Sequence, residues 1–276
     1  AIAAGTWSSG GTLNTARYAP AGAGSTTAAL AFGGDPGTHA ITESYNGTAW
    51  TEVADLATGR AYSGGIGIQA AALCVGGNAG GFQALTEQWD GSAWTEVGDL
   101  ATARRSMGSC GITTAALITG GPPALAVTET YNGTAWTEVG DLNTGRWGMA
   151  GAAKGTTTAA LVSGGNPLSA LTESYDGSTW TEVGDLNTPR QQGGGAGVQT
   201  DALTYGGKTT GGSTANTESF DGSTWTEVAN LGTANEDFAF NGTATDAFQA
   251  GGYTTTNLAI TEEWTKAAVV KTVTTT

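Results

Sequence analysis

The chain has 276 residues, a length that allows one or two ordinary domains, and it contains 46 glycines. Charged residues make up only 12% of it, with 10 Lys and Arg against 24 Asp and Glu. The resulting net charge of -14 disfavours nucleic acid and anionic membrane surfaces as partners. Nine tryptophans, most of them regularly spaced, argue against a charged, disordered chain.

The first 13 residues match only the second half of a unit that fills the rest of the chain. Gly5-Thr6-Trp7 leads to Arg17 in the order seen in later units, whereas residues 261–264 supply only a first half. Because these two halves complement each other, we predict a closed ring over residues 1–265. In this ring a strand within residues 1–13 completes the last unit, and residues 266–276 form a tail or a docking arm.

Complete units begin at Thr42, lead to Arg60 and then recur along the chain. One Trp per unit returns at intervals of 42 to 45 residues, and six Gly pairs, from Gly33-Gly34 to Gly251-Gly252, keep nearly the same period. Such a repeat indicates one closed array rather than separate domains. The recurring tryptophans are Trp7, Trp50, Trp94, Trp136, Trp180 and Trp225.

Each unit is predicted to contain four antiparallel strands, as residues 61–97 illustrate. Residues 61–69 are small enough for an innermost strand, and residues 70–75 form a short apolar run. Residues 84–89 and 93–97 form the third and fourth strands. The Asn-Gly or Asp-Gly between them, as at Asn46-Gly47, predicts a hairpin with a type I′ turn.

The predicted fold class is all-β, a six-bladed β-propeller. Four-stranded units bury both faces only against their neighbours, and closure of the ring removes long exposed edges. A buried Trp of about 200 Å² is worth roughly 5 kcal/mol gross, so the recurring tryptophans are interpreted as core rather than as sugar-stacking platforms. Cys74 and Cys110 are too few for a disulfide framework and are expected to be small buried residues.

Gly76-Gly77, Trp89, Trp94 and Arg104 resemble the kelch repeat in order and spacing, and the likeness extends over essentially the whole chain. The Ala/Gly/Thr/Trp-rich texture of the units also resembles kelch-like appendage or decoration proteins of tailed phages. That resemblance implies a virion-surface or tail-fibre-associated protein that binds a neighbouring virion protein or a host-surface glycan. No apolar run approaches 18 residues, so membrane insertion is not expected. A homo-oligomer within an assembly is a further expectation, and a cytoplasmic protein is the alternative.

Residues suited to catalysis are scarce. Kelch propellers of the galactose oxidase type need two His ligands, and this chain has a single His, His39. No Cys/His cluster suggests zinc, and the glutamates recur at equivalent positions, which is typical of a structural role. We therefore predict no enzymatic activity, no cofactor and no metal site. A carbohydrate-active lyase or hydrolase is kept as an alternative.

Five arginines at one repeat position are the first candidate binding residues, and Asn235 stands at the sixth. If they form a ring on one face, they resemble the peptide-binding surface of kelch adaptors and would bind an acidic ligand. If each pairs with a third-strand glutamate such as Glu43 or Glu87, they are structural. These arginines are Arg17, Arg60, Arg104, Arg146 and Arg190.

Loops that follow the Gly pairs differ from unit to unit, and residues 208–216 form the longest. Loops on a rigid scaffold are where recognition usually occurs, although divergence between repeats is also what drift produces. The individual candidates for ligand binding in these loops are His39, Phe82, Lys208 and Tyr253. The ligand, the host and the oligomeric state do not follow from the sequence.

Overall fold

The computed structural model describes residues 5–267. This part of the chain contains 26 β-strands joined by turns and loops, and it contains no helix. Six four-stranded antiparallel sheets form the blades of a closed ring. The described chain begins with β1 (Thr6–Ser9), which belongs to the last blade. The four-stranded fold expected for each unit is confirmed.

Each blade uses four strands in sequence order from the axis outward, and the last blade borrows β1. Blade 1 contains β2 (Ala21–Ser25), β3 (Ala28–Phe32), β4 (Thr42–Tyr45) and β5 (Trp50–Glu52). Blade 2 contains β6 (Gly64–Ile68), β7 (Ala71–Val75), β8 (Thr86–Trp89) and β9 (Trp94–Glu96). Blade 3 contains β10 (Gly108–Ile112), β11 (Ala115–Thr119), β12 (Thr128–Tyr131) and β13 (Trp136–Val139).

The second half of the ring repeats this order with one insertion. Blade 4 contains β14 (Ala150–Gly151), β15 (Ala160–Ser163), β16 (Thr172–Tyr175) and β17 (Trp180–Glu182). Blade 5 contains β18 (Gly194–Val198), β19 (Asp201–Tyr205), a small hairpin of β20 (Lys208–Thr209) and β21 (Gly212–Ser213), β22 (Thr217–Phe220) and β23 (Trp225–Glu227). Blade 6 contains β24 (Ala239–Thr243), β25 (Asp246–Ala250) and β26 (Thr261–Thr265), followed outward by β1.

The two ends of the described chain meet in blade 6, as predicted. β1 pairs with β26 in antiparallel register, and Trp7 lies directly opposite Trp264. β1 begins at Thr6 and β26 ends at Thr265, and these two residues are paired with each other. The proposed tail or docking arm lies largely outside the described residues. No helix in the described part of the chain is suited to crossing a membrane.

Close approach of the blades explains the glycine-rich innermost strands. A Cβ added to Gly65 would lie 2.3 Å from the carbonyl oxygen of Gly22 in the neighbouring blade. No side chain fits at that distance, so glycine is required where the inner strands converge. This confirms the expectation that small residues line the innermost strand.

The hairpins between third and fourth strands differ from the prediction. Tyr45 pairs directly with Trp50, so four residues form the connection, and among residues 46–49 only Gly47 has a positive φ, of 87°. The type I′ assignment was therefore wrong. Asn46 instead accepts hydrogen bonds through Oδ1 from the backbone N–H groups of Thr48 and Ala49, both at 2.9 Å. The short polar side chain mimics a backbone acceptor, which is the usual reason for Asn or Asp in such turns.

The recurring tryptophans join neighbouring blades. Each donates its indole N–H to the hydroxyl of a threonine that begins the third strand of the preceding blade, for example Trp136 to Thr86 at 3.0 Å. Five of the six indoles are buried, and Trp7 is half-buried on the closing strand. These contacts favour the structural interpretation of the six tryptophans. Cys74 and Cys110 are free and buried, as expected.

Candidate functional site

The five repeated arginines are interior residues. Each forms an ion pair with the third-strand glutamate of the blade that follows it, at 2.8 Å in both Arg60–Glu87 and Arg104–Glu129. All five guanidinium groups are at most 1% exposed. The same arrangement holds for the pairs Arg17–Glu43, Arg146–Glu173 and Arg190–Glu218.

Burial of these arginines changes the interpretation of the whole set. Glu87 also accepts backbone hydrogen bonds from Ala57 and Thr58, so each pair fixes the linker that enters a blade. Because none of these five guanidinium groups reaches the surface, an acidic peptide bound there would not contact them in this conformation. The geometry favours the structural interpretation of the five arginines over a ligand-binding ring.

Blade 6 has a neutral side chain at the position of the arginine. Asn235 replaces the arginine and donates Nδ2–H to Oε1 of Gln249 at 3.1 Å, and Gln249 is itself fully buried. Glu262 keeps its backbone partners, the N–H groups of Gly232 and Thr233. The linker is therefore still held by the glutamate, while a neutral amide pair fills the position of the guanidinium.

Two residues beyond each arginine or Asn235, the chain reaches the axis of the ring. The six residues at this position surround the opening of the central channel, which we call the axial mouth. They are Ala19, Tyr62, Ser106, Gly148, Gln192 and Asp237. Each donates its backbone N–H to the carbonyl oxygen of its counterpart in the preceding blade, at 2.6 to 3.0 Å, so that six hydrogen bonds close a circle.

Backbone conformation at the axial mouth is unusual for the residues that occupy it. All six have φ between 52° and 65°, the left-handed region in which glycine is favoured. Only Gly148 is a glycine. In the described part of the chain, the other non-glycine residue with a positive φ is Thr38, while 26 glycines adopt such angles. In a glycine-rich chain, five side chains are thus retained where each costs about 1 kcal/mol or more.

Aromatic side chains form one wall around the axial mouth. The ring of Tyr18 lies 6.1 Å from that of Tyr62 and 5.6 Å from that of Tyr253. The guanidinium of Arg105 stacks over Tyr62 at 4.7 Å and over Phe82 at 5.6 Å, within the range of cation–π attraction. Burial, followed by the charge of Asp237, raises the pKa of Tyr62, which therefore remains a neutral hydroxyl donor.

A carboxylate lies at the mouth beside this aromatic wall. Asp237 Oδ2 accepts a hydrogen bond from Gln192 Nε2 at 2.7 Å. Burial raises the pKa of Asp237 to about 7, and the neighbouring charge of Glu236 adds to the effect. Glu236 is itself paired at 3.3 Å with Lys208, which is 47% exposed. The mouth therefore offers both hydrogen-bond acceptors and donors next to apolar ring faces.

The six residues of the axial mouth line a cavity of about 70 Å³. Its lining also includes Met107, Met149 and Phe238, which are apolar and buried. A space of this size admits only a small chemical group or a few waters. Most of a bound ligand would consequently lie across the rim, in contact with the aromatic wall.

The structure brings together three of the four loop residues singled out from the sequence. Phe82, Lys208 and Tyr253 each contact a residue around the axial mouth, namely Arg105, Glu236 and Tyr18. His39 lies half-buried in the corresponding loop of blade 1 and is held through its backbone by Gly34 and Arg60. Its side chain forms no hydrogen bond within the described residues.

Sequence reasoning missed the residues that line the mouth itself. A signal was present, because the three positions after each arginine vary strongly between units, and at the second of them all six residues differ. The triplets are Tyr-Ala-Pro, Ala-Tyr-Ser, Arg-Ser-Met, Trp-Gly-Met, Gln-Gln-Gly and Glu-Asp-Phe. Divergence at this position is as strong as in the loops after the Gly pairs, and it falls at the axis. Within residues 5–267 no group of three or more His, Cys, Asp or Glu is arranged to hold a metal ion.

Comparison with solved structures shows a close match in fold. The structure of YjhT superposes with a TM-score of 0.74 and 12% sequence identity, over 92% of this chain and 96% of that one. At this identity the likeness establishes the six-bladed propeller fold alone. No family model matches the chain, and comparison with curated proteins finds no match. The kelch and phage resemblances therefore remain predictions.

Proposed function

We propose that this protein is a noncatalytic recognition module on the surface of a phage particle, and that it binds a host-surface glycan at the axial mouth. The observation that supports the site is the retention of five different side chains at left-handed backbone positions around the mouth. A scaffold alone would be served by glycine there, as it is in blade 4. Strained positions with retained side chains are characteristic of functional sites.

The chemistry of the mouth suits a neutral glycan. Sugar rings present apolar faces to aromatic side chains, and Tyr18, Tyr62 and Tyr253 supply such faces. The hydroxyl groups of a sugar need both hydrogen-bond donors and acceptors, which Gln192 and Asp237 provide. The net charge of -14 disfavours strongly anionic polymers at long range.

Within residues 5–267, the outer two strands of blade 6 have their free ends away from the axial mouth. β1 begins and β26 ends at the face opposite the axial mouth, because Thr6 pairs with Thr265 at the end of β26 farthest from it. This arrangement is compatible with attachment to a neighbouring virion protein at the far face.

Binding to an array of bacterial surface glycans tests the site. Wild-type protein is expected to bind a defined glycan, and Tyr62→Ala and Asp237→Asn are each expected to lose at least about tenfold in affinity without unfolding. Ile112→Ser, on the opposite face, is the matched control and should bind normally. Unchanged affinity in both mouth variants would refute the site, and immunogold labelling that finds no protein on phage particles would refute the location.

A carbohydrate-active enzyme at the same mouth is the second candidate, favoured by one observation. A carboxyl group with a pKa of about 7 is suited to accept a proton at neutral pH, and Asp237 has that property beside Tyr62 and Arg105. Mass spectrometry of the bound glycan after long incubation separates the two candidates. Cleavage that is lost in Asp237→Asn would support the enzyme, and an intact glycan would support recognition.

A further inference from the structure

Blade 4 departs from the other five blades in its innermost strand. Gly164 follows Arg146 by 18 residues, whereas Gly120 follows Arg104 by 16, so the blade 4 segment is two residues longer. The other blades have a glycine with φ between 93° and 124° near the end of the inner strand, and blade 4 has Ala153 there. These glycines are Gly24, Gly67, Gly111, Gly197 and Gly242.

This replacement redirects the chain. A Cβ added to Gly67 would lie 2.4 Å from the carbonyl oxygen of Ala71, so alanine does not fit the conformation used in the other blades. β14 accordingly ends at Gly151, after two residues, whereas the inner strands of the other five blades have five. The next residues turn toward the axis, and Lys154 takes the place that Ile68 and Ile112 occupy in blades 2 and 3.

The side chain of Lys154 crosses the channel at the end opposite the axial mouth. Its Nζ donates to the carbonyl oxygen of Gly67 at 3.1 Å and to Oδ1 of Asn241 at 2.6 Å, and thereby links blade 4 to blades 2 and 6. An ammonium group has three protons, and these two acceptors use two of them. One donor remains for another partner.

Lys154 has no counter-ion in the described part of the chain. None of the ion pairs found there includes it. Asp246 is the acidic residue whose charge acts on Lys154, but its Oδ1 accepts the backbone N–H of Thr26. Burial lowers the pKa of Lys154 to about 8, as expected for an amine that has lost water without gaining a carboxylate.

A cavity adjoins this lysine. It has a volume of about 310 Å³, and Lys154 is one of its walls. Most of the remaining lining is apolar or small and comes from blades 1 and 2, including Ala28, Ile68 and Ala70. Ile68 is 54% exposed, which is high for a large apolar side chain in this protein. Lys154 thus borders a predominantly apolar space.

We propose that this cavity, the Lys154 cavity, binds a small organic carboxylate with a short apolar chain. The carboxylate would accept the remaining Nζ proton and supply the missing negative charge, and the chain would lie against Ile68, Ala28 and Ala70. A hydrogen bond between two charged groups is shorter and roughly twice as strong as one between neutral groups. The site is separate from the axial mouth and does not depend on the function proposed there.

The test uses the whole protein and follows the Lys154 amine by NMR during titration with acetate, butyrate and inorganic phosphate. Butyrate is expected to bind saturably and to raise the pKa of Lys154, because a bound anion stabilises the charged amine. Two additional methylenes should make butyrate bind at least about fivefold more tightly than acetate. Phosphate should bind more weakly than butyrate, since it has no apolar chain.

Three variants separate the possible outcomes. Lys154→Met keeps the apolar stem and should abolish butyrate binding, and Lys154→Gln serves the same purpose if the Met variant fails to fold. Ile68→Ser should remove the preference for butyrate over acetate. A Lys154 pKa that butyrate does not change, or equal binding by wild type and Lys154→Gln, would overturn the proposal and leave Lys154 as a brace between blades.

Discussion

The blade interfaces and the axial mouth are built on opposite principles. At the interfaces the same side chains recur around the ring, with Trp–Thr hydrogen bonds in all six blades and Arg–Glu pairs in five. At the mouth the backbone recurs six times in one conformation, and every side chain is different. Identical interfaces give a symmetric frame, and that frame then holds six unlike groups at one opening. The comparison indicates that stability and specificity occupy separate parts of this repeat.

The largest effect is expected from breaking one repeated ion pair. Arg104→Ala leaves Glu129 buried without its charged partner, and we expect a loss of about 3–5 kcal/mol in the free energy of unfolding. Urea denaturation measures it. Asn235→Ala in blade 6 is the matched control, and because it removes only a neutral hydrogen bond it should cost about 1 kcal/mol. Equal losses would show that charge is not what distinguishes the two positions.

A smaller loss is expected at the indole contacts between blades. Trp136→Phe removes the hydrogen bond to Thr86 and part of a buried ring, which together should cost about 1–3 kcal/mol. A double-mutant cycle with Thr86→Val isolates the hydrogen bond and should give a coupling of about 1 kcal/mol. Strictly additive effects would mean that the hydrogen bond contributes nothing.

At the mouth, Asp237 is expected to make stability depend on pH. Its folded pKa of about 7 lies above the ordinary value for aspartate, so the native state holds this proton more tightly than the unfolded state. The contribution is complete below about pH 4 and is lost as the pH rises to about 7. Asp237→Asn should therefore gain stability relative to wild type across that interval, as thermal melts at successive pH values would show.

Asp176 provides a control of opposite sign. Hydrogen bonds from the backbone N–H groups of Thr179 and Ser178 lower its pKa to about 2. Its contribution is present above about pH 4 and is lost as the pH falls toward 2. Asp176→Asn should leave the interval between pH 4 and 7 unchanged. A similar pH profile for the two variants would contradict the assignment to Asp237.

The smallest effect on stability is expected at Tyr62. Tyr62→Gly removes the stacking with Arg105 but relieves a φ of 59°, and the two changes should nearly cancel, within about 1 kcal/mol. Glycan binding should nevertheless be lost. A variant that is strongly destabilised would show that the aromatic wall belongs to the frame, and the separation between interfaces and mouth would then fail.

Much of the frame could be predicted from sequence because its determinants are local or periodic. The six-blade count, the closure of the ring by Trp7 beside Trp264 and the small inner strands all follow from spacing and residue size. The turn type was missed at Asn46, since a dipeptide does not reveal whether the side-chain oxygen or the backbone closes the turn. The pairing of arginine with glutamate was one of two interpretations, and only burial distinguishes them.

The sequence by itself determined a closed ring of repeated units, because the spacing of the units, the strand pattern and the packing residues recur along the chain. Only the tertiary structure decided which positions meet at the axis. Tyr62, Arg105 and Asp237 come from three different blades, and closure of the ring places them at one mouth. In the same way, the inward turn of Lys154 depends on an inner strand that ends at Gly151, two residues before Ala153. Proximity at the axis results from ring geometry, which no single repeat encodes.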